Sequence, residues 1–165
     1  MRNLLLTIVI SAGLSWSCID RKQFSDIPFL RYENEEWVSV PVEGVGSVDR
    51  LRVTLYMTDG DGNIGLRDDQ VDPPYDPDSP FHFNLWIKYF EKQGDSLVEI
   101  PEAQFSARLP NLTPQGQNKT LEADIEYDLD LTQSAADSIQ FSFILVDRDL
   151  QLSNEVFSPV LSASP

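Results

Sequence analysis

Apolar and polar residues alternate with a period of two along most of the chain after residue 26. The clearest example is LRVTLYM at 51–57, in which leucine, valine and methionine occupy every second position. Because successive side chains of a β-strand point to opposite faces, this pattern predicts a strand with one buried face. The same period predicts strands at 81–89, 121–129 and 139–145, which with the one at 51–57 makes four. Shorter strands are predicted at 27–32, 96–100 and 155–161.

About seven strands are therefore expected, and no window of ten residues has a helical period. The one short helix candidate, at 133–137, is as compatible with a turn. Short strands separated by polar turns predict an all-β fold, an antiparallel immunoglobulin-like sandwich of fibronectin type III-like form. The chain has one cysteine, so the disulfide of antibody domains is excluded. The core is expected to bury large apolar side chains, among them Phe83, Leu85, Phe141 and Phe143.

The first residues follow a different pattern. Arg2 precedes an apolar run at 4–14 that is too short to cross the roughly 30 Å of a bilayer core, which predicts a cleaved export signal. The run ends in Ser-Trp-Ser and then Cys18, which resembles the box of bacterial lipoproteins, where the cysteine is lipidated. The alternative is an ordinary secretory signal with an accidental cysteine. The predicted organisation is a signal peptide at 1–17, a lipidated tether at 18–26 and a β-sandwich at 27–165.

The charge balance limits the class of partner. The chain has 12 basic and 27 acidic residues and a net charge of −15. Nucleic acid would be repelled, so no nucleic-acid partner is expected. Anionic lipid headgroups would be repelled too, so membrane attachment is expected only through a lipid on Cys18.

The stretch TDGDGNIG at 58–65 follows the strand at 51–57 directly. In an immunoglobulin-like sandwich, the loops after this strand and after the strand at 139–145 emerge at the same end, and their side chains can share one ion if the two strands lie side by side. The side chains expected to meet there are Asp59, Asp61, Asn63, Asp147 and Asp149. Their oxygens are the donors that calcium prefers, so calcium is a candidate cofactor. The pattern is not an EF-hand, because its sixth and twelfth positions are Ile64 and Gln70. The alternative is a glycine-rich turn in which Asp59 and Asn63 bond the backbone.

The connection at 59–80 is long and rich in aspartate and proline. Proline lowers the entropy lost on ordering, so we expect a preformed lip; alternatively, the segment wraps the edge of the sandwich.

Aromatic residues are expected on the outer face of the predicted strand at 81–89 and just beyond it. His82, Trp86 and Phe90 form a candidate platform for a sugar ring or a partner strand. The alternative is that aromatic residues of the N-terminal strand cover this face, namely Phe29, Tyr32 and Trp37. Because His82 is the only histidine and no cysteine remains after lipidation, no catalytic residue is predicted.

Four stretches together resemble a family of small Bacteroidetes envelope lipoproteins of uncharacterised function: TDGDGNIGL at 58–66, NLWIKYFEK at 84–92, RLPNLTPQGQNKTLEADIEYDL at 108–129 and FILVDRDLQLSNEV at 143–156. The resemblance implies a lipid anchor and an immunoglobulin-like fold, and it implies no known activity.

The expected function is that of a non-enzymatic binding or accessory module, lipid-anchored in the bacterial cell envelope and most readily placed at the outer membrane. A protein or a glycan is the expected partner. A carbohydrate-binding module is the first alternative, and a small carboxylate-dependent hydrolase is a distant second. Ser96 and Ser138 each follow aspartate and precede an apolar residue, which resembles the acceptor of Bacteroidetes O-glycosylation.

Overall fold

The structure is a computed structural model that describes residues 22–131 and 136–165. It contains eight strands and one short 3-10 helix at Pro80–His82. The strands are β1 (Phe29–Val42), β2 (Gly46–Asp59), β3 (Leu85–Gln93), β4 (Ser96–Glu99), β5 (Leu121–Leu129), β6 (Ser138–Leu145), β7 (Val156–Phe157) and β8 (Leu161–Ser162). The predicted signal peptide at 1–17, Cys18 and most of the helix candidate at 133–137 lie outside the described residues.

The strands form two antiparallel sheets that pack into a sandwich. The first sheet has the order β1-β2-β5, and the second has the order β4-β3-β6-β7, with β8 also pairing with β6. The chain thus places its first, second and fifth strands in one sheet and the others in the second, which is the division expected of an immunoglobulin-like fold. The predicted all-β sandwich is confirmed.

The β1–β2 hairpin dominates the first sheet. Each strand has 14 residues, and their register runs from Phe29 opposite Thr58 to Val42 opposite Gly46. Gly44 in the turn has a φ of 78°, a conformation that glycine adopts without the steric cost of a Cβ. β1 is longer than the predicted strand at 27–32, because polar residues beyond Tyr32 still form backbone pairs with β2.

The core lies between the sheets. Between positions 51 and 57, every second residue of β2 is buried, namely Leu51, Val53, Leu55 and Met57. In the opposite sheet, the Phe141 ring lies 5.3 Å from the rings of both Tyr89 and Phe105, measured between centroids. Leu85, Phe141 and Phe143 are buried as predicted. Phe83 is only half-buried, so that prediction was wrong.

The error at Phe83 has a local cause. The segment before Leu85 is not strand, because Ser79 caps the 3-10 helix at Pro80–His82, its hydroxyl oxygen accepting a 3.1 Å hydrogen bond from the Phe81 amide. Proline suits the first position of a helix, since it has no N–H to satisfy there. β3 therefore begins four residues later than the alternation suggested.

Candidate acidic loop site

Two loops meet at the end of the sandwich where β2 and β6 finish. β2 and β6 belong to different sheets, so the condition for a shared calcium ion, that these strands lie side by side, is not met. The loops nevertheless pair: Ile64 and Asp147 form an isolated antiparallel bridge, and the Arg148 amide donates a 3.2 Å hydrogen bond to the Asn63 carbonyl. The structure thus brings the predicted side chains together. We refer to them as the acidic loop cluster, consisting of Asp59, Asp61, Asn63, Asp147 and Asp149.

Asn63 contacts three of the four carboxylates in this cluster. Its backbone N–H donates to Asp59 Oδ2 at 2.9 Å. Its side-chain Nδ2 donates to Asp61 Oδ2 at 3.1 Å and to Asp149 Oδ2 at 3.0 Å. A neutral amide group therefore lies between two carboxylates that come from different loops.

Asp59 is the most deeply buried acid of the cluster. Its exposed fraction is 0%, and its Oδ1 atom has no hydrogen-bond partner among the described residues. Burial, followed by repulsion from the Asp61 carboxylate, raises the pKa of Asp59 to about 7, although the hydrogen bond from the Asn63 amide opposes the rise. A buried carboxylate with a free oxygen is a costly arrangement unless something neutralises it.

Asp147 has a different role in the structure. Its Oδ1 accepts a 2.7 Å hydrogen bond from the Gln151 amide, and its Oδ2 accepts a 3.1 Å bond from the Gln151 side chain. Burial raises the pKa of Asp147, and these bonds from Gln151 oppose the rise. Asp147 thus organises the turn at 147–151, in which Leu150 has a φ of 63°.

The first loop also has the features of the glycine-rich turn. Gly62 and Gly65 have φ values of 64° and 84°, and a Cβ at either position would overlap the carbonyl group of Lys119 or Pro110. The backbone bond to the Asp59 carboxylate was expected for such a turn, whereas the Asn63 side chain bonds carboxylates instead. Turn geometry and clustered charge therefore occur together.

Arg148 fixes the relative position of three loops, and sequence reasoning missed it. Its guanidinium Nη1 donates to the carbonyls of Ile64 (3.2 Å) and Gly65 (2.7 Å) and to Asn111 Oδ1 (3.1 Å), and its Nη2 donates to the Thr113 hydroxyl. None of these acceptors is a carboxylate. The signal in the sequence was an arginine between two aspartates in VDRDL. Its guanidinium donates to carbonyl, amide and hydroxyl oxygens and not to these neighbouring carboxylates.

Arg108 orders the long connection between β2 and β3. Its Nη2 donates to the carbonyls of Gln70 at 2.6 Å and Arg67 at 3.2 Å, and its Nη1 donates to the His82 carbonyl at 2.8 Å. The Tyr75 hydroxyl also donates to the carbonyl of Arg148. These contacts join the connection to the 3-10 helix and to the turn at 147–151, and the preformed lip stays a prediction.

Part of the predicted tether lies against the sandwich beside this cluster. The Gly60 amide donates a 2.8 Å hydrogen bond to the Ser25 carbonyl, and Gln151 Nε2 donates to the Asp26 carbonyl at 3.3 Å. Lys22 Nζ lies 2.8 Å from a carboxylate oxygen of Glu122. The chain therefore enters the fold at the loop end.

The predicted aromatic platform is only partly formed. Trp86 and Phe90 do share the outer face of β3, but His82 belongs to the 3-10 helix, and its Nδ1 lies 3.1 Å from the Tyr75 carbonyl. The prediction that His82 shares a strand face with Trp86 was therefore wrong.

Neighbouring rings cover the two strand residues. The Trp86 ring lies 5.7 Å from Phe81 and its Nε1 donates to the Phe83 carbonyl at 3.0 Å, while Phe90 lies 6.3 Å from Phe157. Tyr32, one of the residues expected to provide the cover, packs instead on Phe143 in the core.

The two candidate glycosylation serines differ in accessibility. Ser96 is exposed at the start of β4, whereas Ser138 is half-buried and pairs with Ser162 of β8. Ser96 is the more accessible acceptor.

Comparisons with family models, curated proteins and solved structures found no match. Within residues 22–131 and 136–165, no three His, Cys, Asp or Glu side chains are arranged so that they could hold a metal ion. In the same ranges, no helix is long and apolar enough to cross a membrane.

Proposed function

We propose that the chain is a non-enzymatic binding or accessory module of a bacterial cell envelope, held at the outer membrane by a lipid on Cys18. The supporting observation is the apolar run at 4–14, which ends just before the only cysteine. Lys22, four residues after Cys18, already contacts the sandwich. The intervening chain spans at most about 14 Å, so the anchor would hold the loop end close to the membrane.

The charge of the protein supports attachment through a lipid. A chain with a net charge of −15 is repelled by an anionic membrane surface and cannot bind to it electrostatically. One acyl chain gives marginal attachment, whereas the several chains of a lipoprotein cysteine attach firmly. Cys18 supplies the attachment that the acidic domain lacks.

The rigid loop end supports a binding role. Arg108 and Arg148 hold the connection at 60–79 and the neighbouring loops through hydrogen bonds to backbone and side-chain oxygens. A surface that is ordered before its partner arrives loses less entropy on binding. The same loops present several carboxylates, so a cation or a basic surface is the complementary partner.

Detergent phase partitioning tests the anchor. The full chain, expressed in a bacterium that processes lipoproteins, should enter the detergent phase, and Cys18→Ala should move it to the aqueous phase. Ser17→Ala is the matched control, because it retains a small residue before the cysteine and should leave partitioning unchanged. Mass spectrometry of the mature N-terminus should show acyl chains on Cys18. A Cys18→Ala protein that still fractionates with membranes like the wild type would refute the proposal.

A carbohydrate-binding module is the second candidate, supported by the ring pair on the outer face of the second sheet. Phe157 is 50% exposed and its ring lies beside that of Phe90. On a glycan array, Phe157→Ala should abolish any specific binding. Phe29→Ala, which removes a 44% exposed ring from the other sheet, should not. An array without any wild-type signal would reject this candidate.

A further inference from the structure

We propose that the open edge of β5 binds an extended basic segment of another protein, which adds to the three-stranded first sheet as a further strand. The segment carries lysine or arginine at every second position and apolar residues between them. This inference goes beyond the proposed function and does not depend on the lipid anchor, because it rests on described residues of the first sheet.

The backbone of β5 is paired on one side only. β5 is the last strand in the order β1-β2-β5, and its register with β2 runs without interruption from Leu121 opposite Asp59 to Leu129 opposite Leu51. Among the described residues, no backbone hydrogen bond joins β5 to any segment other than β2. In an antiparallel strand, every second residue directs its N–H and C=O groups away from the paired neighbour. β5 therefore presents a row of free donors and acceptors to an incoming strand.

The opposite edge of the same sheet is protected against strand addition. β1 has a register irregularity between Tyr32 and Asn34, and it contains Pro41. The backbone groups of Leu30 bond the side chain of Asn154. Irregular pairing, proline and side-chain cover are the devices that prevent an edge strand from pairing with another chain. β5 has no proline, glycine or bulge over its nine residues, and it is protected by charge, which repels a like charge and attracts an opposite one.

The outer face of β5 carries a row of four acidic residues, namely Glu122, Asp124, Glu126 and Asp128. Successive members lie about 6.8 Å apart, which is twice the rise per residue of a strand. The two ends of the row already bind basic side chains. Lys22 Nζ donates to both carboxylate oxygens of Glu122, at 2.9 and 2.8 Å, and Arg52 Nε donates to Asp128 at 2.7 Å. In the middle of the row, Asp124 has no ion pair among the described residues, and Glu126 lies 3.9 Å from Arg52.

The inner face of β5 selects apolar side chains in the partner. Leu121, Ala123 and Tyr127 pack against the core but stay half-buried at the open edge. A strand added beside β5 would place one set of its side chains next to the acidic row and the alternate set beside these apolar residues. In binding by strand addition, the backbone supplies affinity and the alternate side chains supply specificity, so the partner segment alternates basic and apolar residues.

A second copy of this chain does not suit this edge. Pairing of two β5 strands would bring the two acidic rows together, with the Cβ atoms of facing residues about 5 Å apart, and like charges directly opposite each other are destabilising. The net charge of −15 on each copy adds to this repulsion. A basic segment instead forms opposite-charge pairs with the acidic row.

The test is the binding of a synthetic peptide that alternates lysine and valine and matches the nine residues of β5 in length. It is titrated onto the full chain in detergent, and a fluorescent label on the peptide gives the dissociation constant. Hydrogen exchange, followed by mass spectrometry, should slow at residues 121–129, whose free N–H groups become bonded.

Two control peptides separate backbone pairing from charge. In the first, glutamate replaces every lysine. In the second, proline replaces the two middle valines, so the charge is conserved but the backbone ladder is interrupted. Both should bind about tenfold or more weakly than the lysine–valine peptide, the first through repulsion and the second through lost backbone bonds.

Variants of the protein locate the site. Asp124→Lys and Glu126→Lys reverse exposed charges in the middle of the row, and each should weaken binding by about tenfold or more. Glu99→Lys is the matched control, because it makes the same change at an exposed position of β4, an edge strand of the second sheet, and should bind like the wild type. Melting temperatures close to that of the wild type establish that each variant is folded.

Four results would overturn the proposal. The lysine–valine peptide fails to bind the wild type, or the proline peptide binds equally well, which would reduce the interaction to charge attraction. Glu99→Lys weakens binding as much as Asp124→Lys, or exchange at residues 121–129 slows with protein concentration in the absence of peptide, which would make a second copy the occupant.

Discussion

The side-chain amide of Asn154 forms the two hydrogen bonds of a peptide group with the backbone of Leu30. Asn154 Nδ2 donates to the Leu30 carbonyl at 2.9 Å, and its Oδ1 accepts from the Leu30 amide at 3.0 Å. Leu30 belongs to β1 in the first sheet, whereas Asn154 lies just before β7 in the second. One side chain thus closes an open edge of the sandwich and connects the two sheets.

Replacing Asn154 should therefore destabilise the fold. Asn154→Ala leaves both backbone groups of the buried Leu30 without a partner, and we expect a loss of about 2 kcal/mol in the free energy of unfolding. Urea denaturation measures this loss. Asn118→Ala, at an exposed position, is the control and should change stability by less than about 0.5 kcal/mol. Equal stabilities of the two variants would contradict the prediction.

The aromatic core should be sensitive to a cavity at its centre. Phe141 is fully buried and contacts the rings of Tyr89, Phe105 and Phe143. Phe141→Ala should lower the free energy of unfolding by about 3–5 kcal/mol, through lost burial and the cavity that remains. Phe157→Ala removes the same side chain from a half-exposed position and should cost much less. Melting of Phe141→Ala within a degree or two of the wild type would show that its environment is misassigned.

Arg148→Lys should loosen the loop end while conserving charge. A lysine cannot reproduce the forked donation to Ile64, Gly65, Asn111 and Thr113, so several acceptors lose their partner. We expect faster limited proteolysis within the connection at 60–79 and a loss of about 1–3 kcal/mol. Arg67→Lys, whose guanidinium makes an exposed ion pair with Asp69, is the control. If both variants are cleaved at the wild-type rate, Arg148 does not order the loops.

Glu155 should make the stability of the second sheet depend on acid pH. Its Oε1 accepts a 2.7 Å hydrogen bond from the Ser142 hydroxyl and lies 3.2 Å from Lys88 Nζ. The bond from Ser142, and then the charge of Lys88, lower the pKa of Glu155 below its ordinary value of 4.5. A lowered pKa in the folded state means that this stabilisation is present above pH 4.5 and is lost as the pH falls further.

The stability difference between wild type and Glu155→Gln should therefore be largest near neutral pH, at about 1 kcal/mol, and should shrink toward pH 3. Denaturation curves over this range measure it. Ser142→Ala, which removes the donor and retains the carboxylate, should reduce the pH dependence. A difference that is constant with pH would refute the assignment.

The strands that alternate strictly were predictable from the sequence. β5 (Leu121–Leu129) has the predicted bounds, because its outward residues are acidic and its inward ones apolar throughout. β1 was predicted too short, since the polar segment after Tyr32 is held by pairing with β2, a long-range contact that local periodicity does not record. The alternation at 81–84 did not indicate a strand. Ser79 and Pro80 start a 3-10 helix there, and its apolar and polar residues alternate as those of a strand would.

The composition of the acidic loop cluster could also be predicted, but its internal arrangement could not. The order of the strands places the two loops at one end, which follows from the fold class. The roles of its members depend on single hydrogen bonds. Both carboxylate oxygens of Asp147 accept hydrogen bonds from Gln151, whereas Asp59 Oδ1 accepts none among the described residues. Arg148 was missed for the same reason, since its acceptors come from segments about 35 to 84 positions away.

The β1–β2 hairpin separates the two ends of the domain, so a lipid anchor at one end would orient the molecule relative to the membrane. The chain enters beside the acidic loops, and the hairpin turn lies at the opposite end of β2, where Val45 is 72% exposed. Strands of this length extend about 43 Å at roughly 3.3 Å per residue. With a lipid on Cys18, the acidic loops would lie next to the membrane. The hairpin turn would lie farthest from it and would be the part that a large partner contacts first.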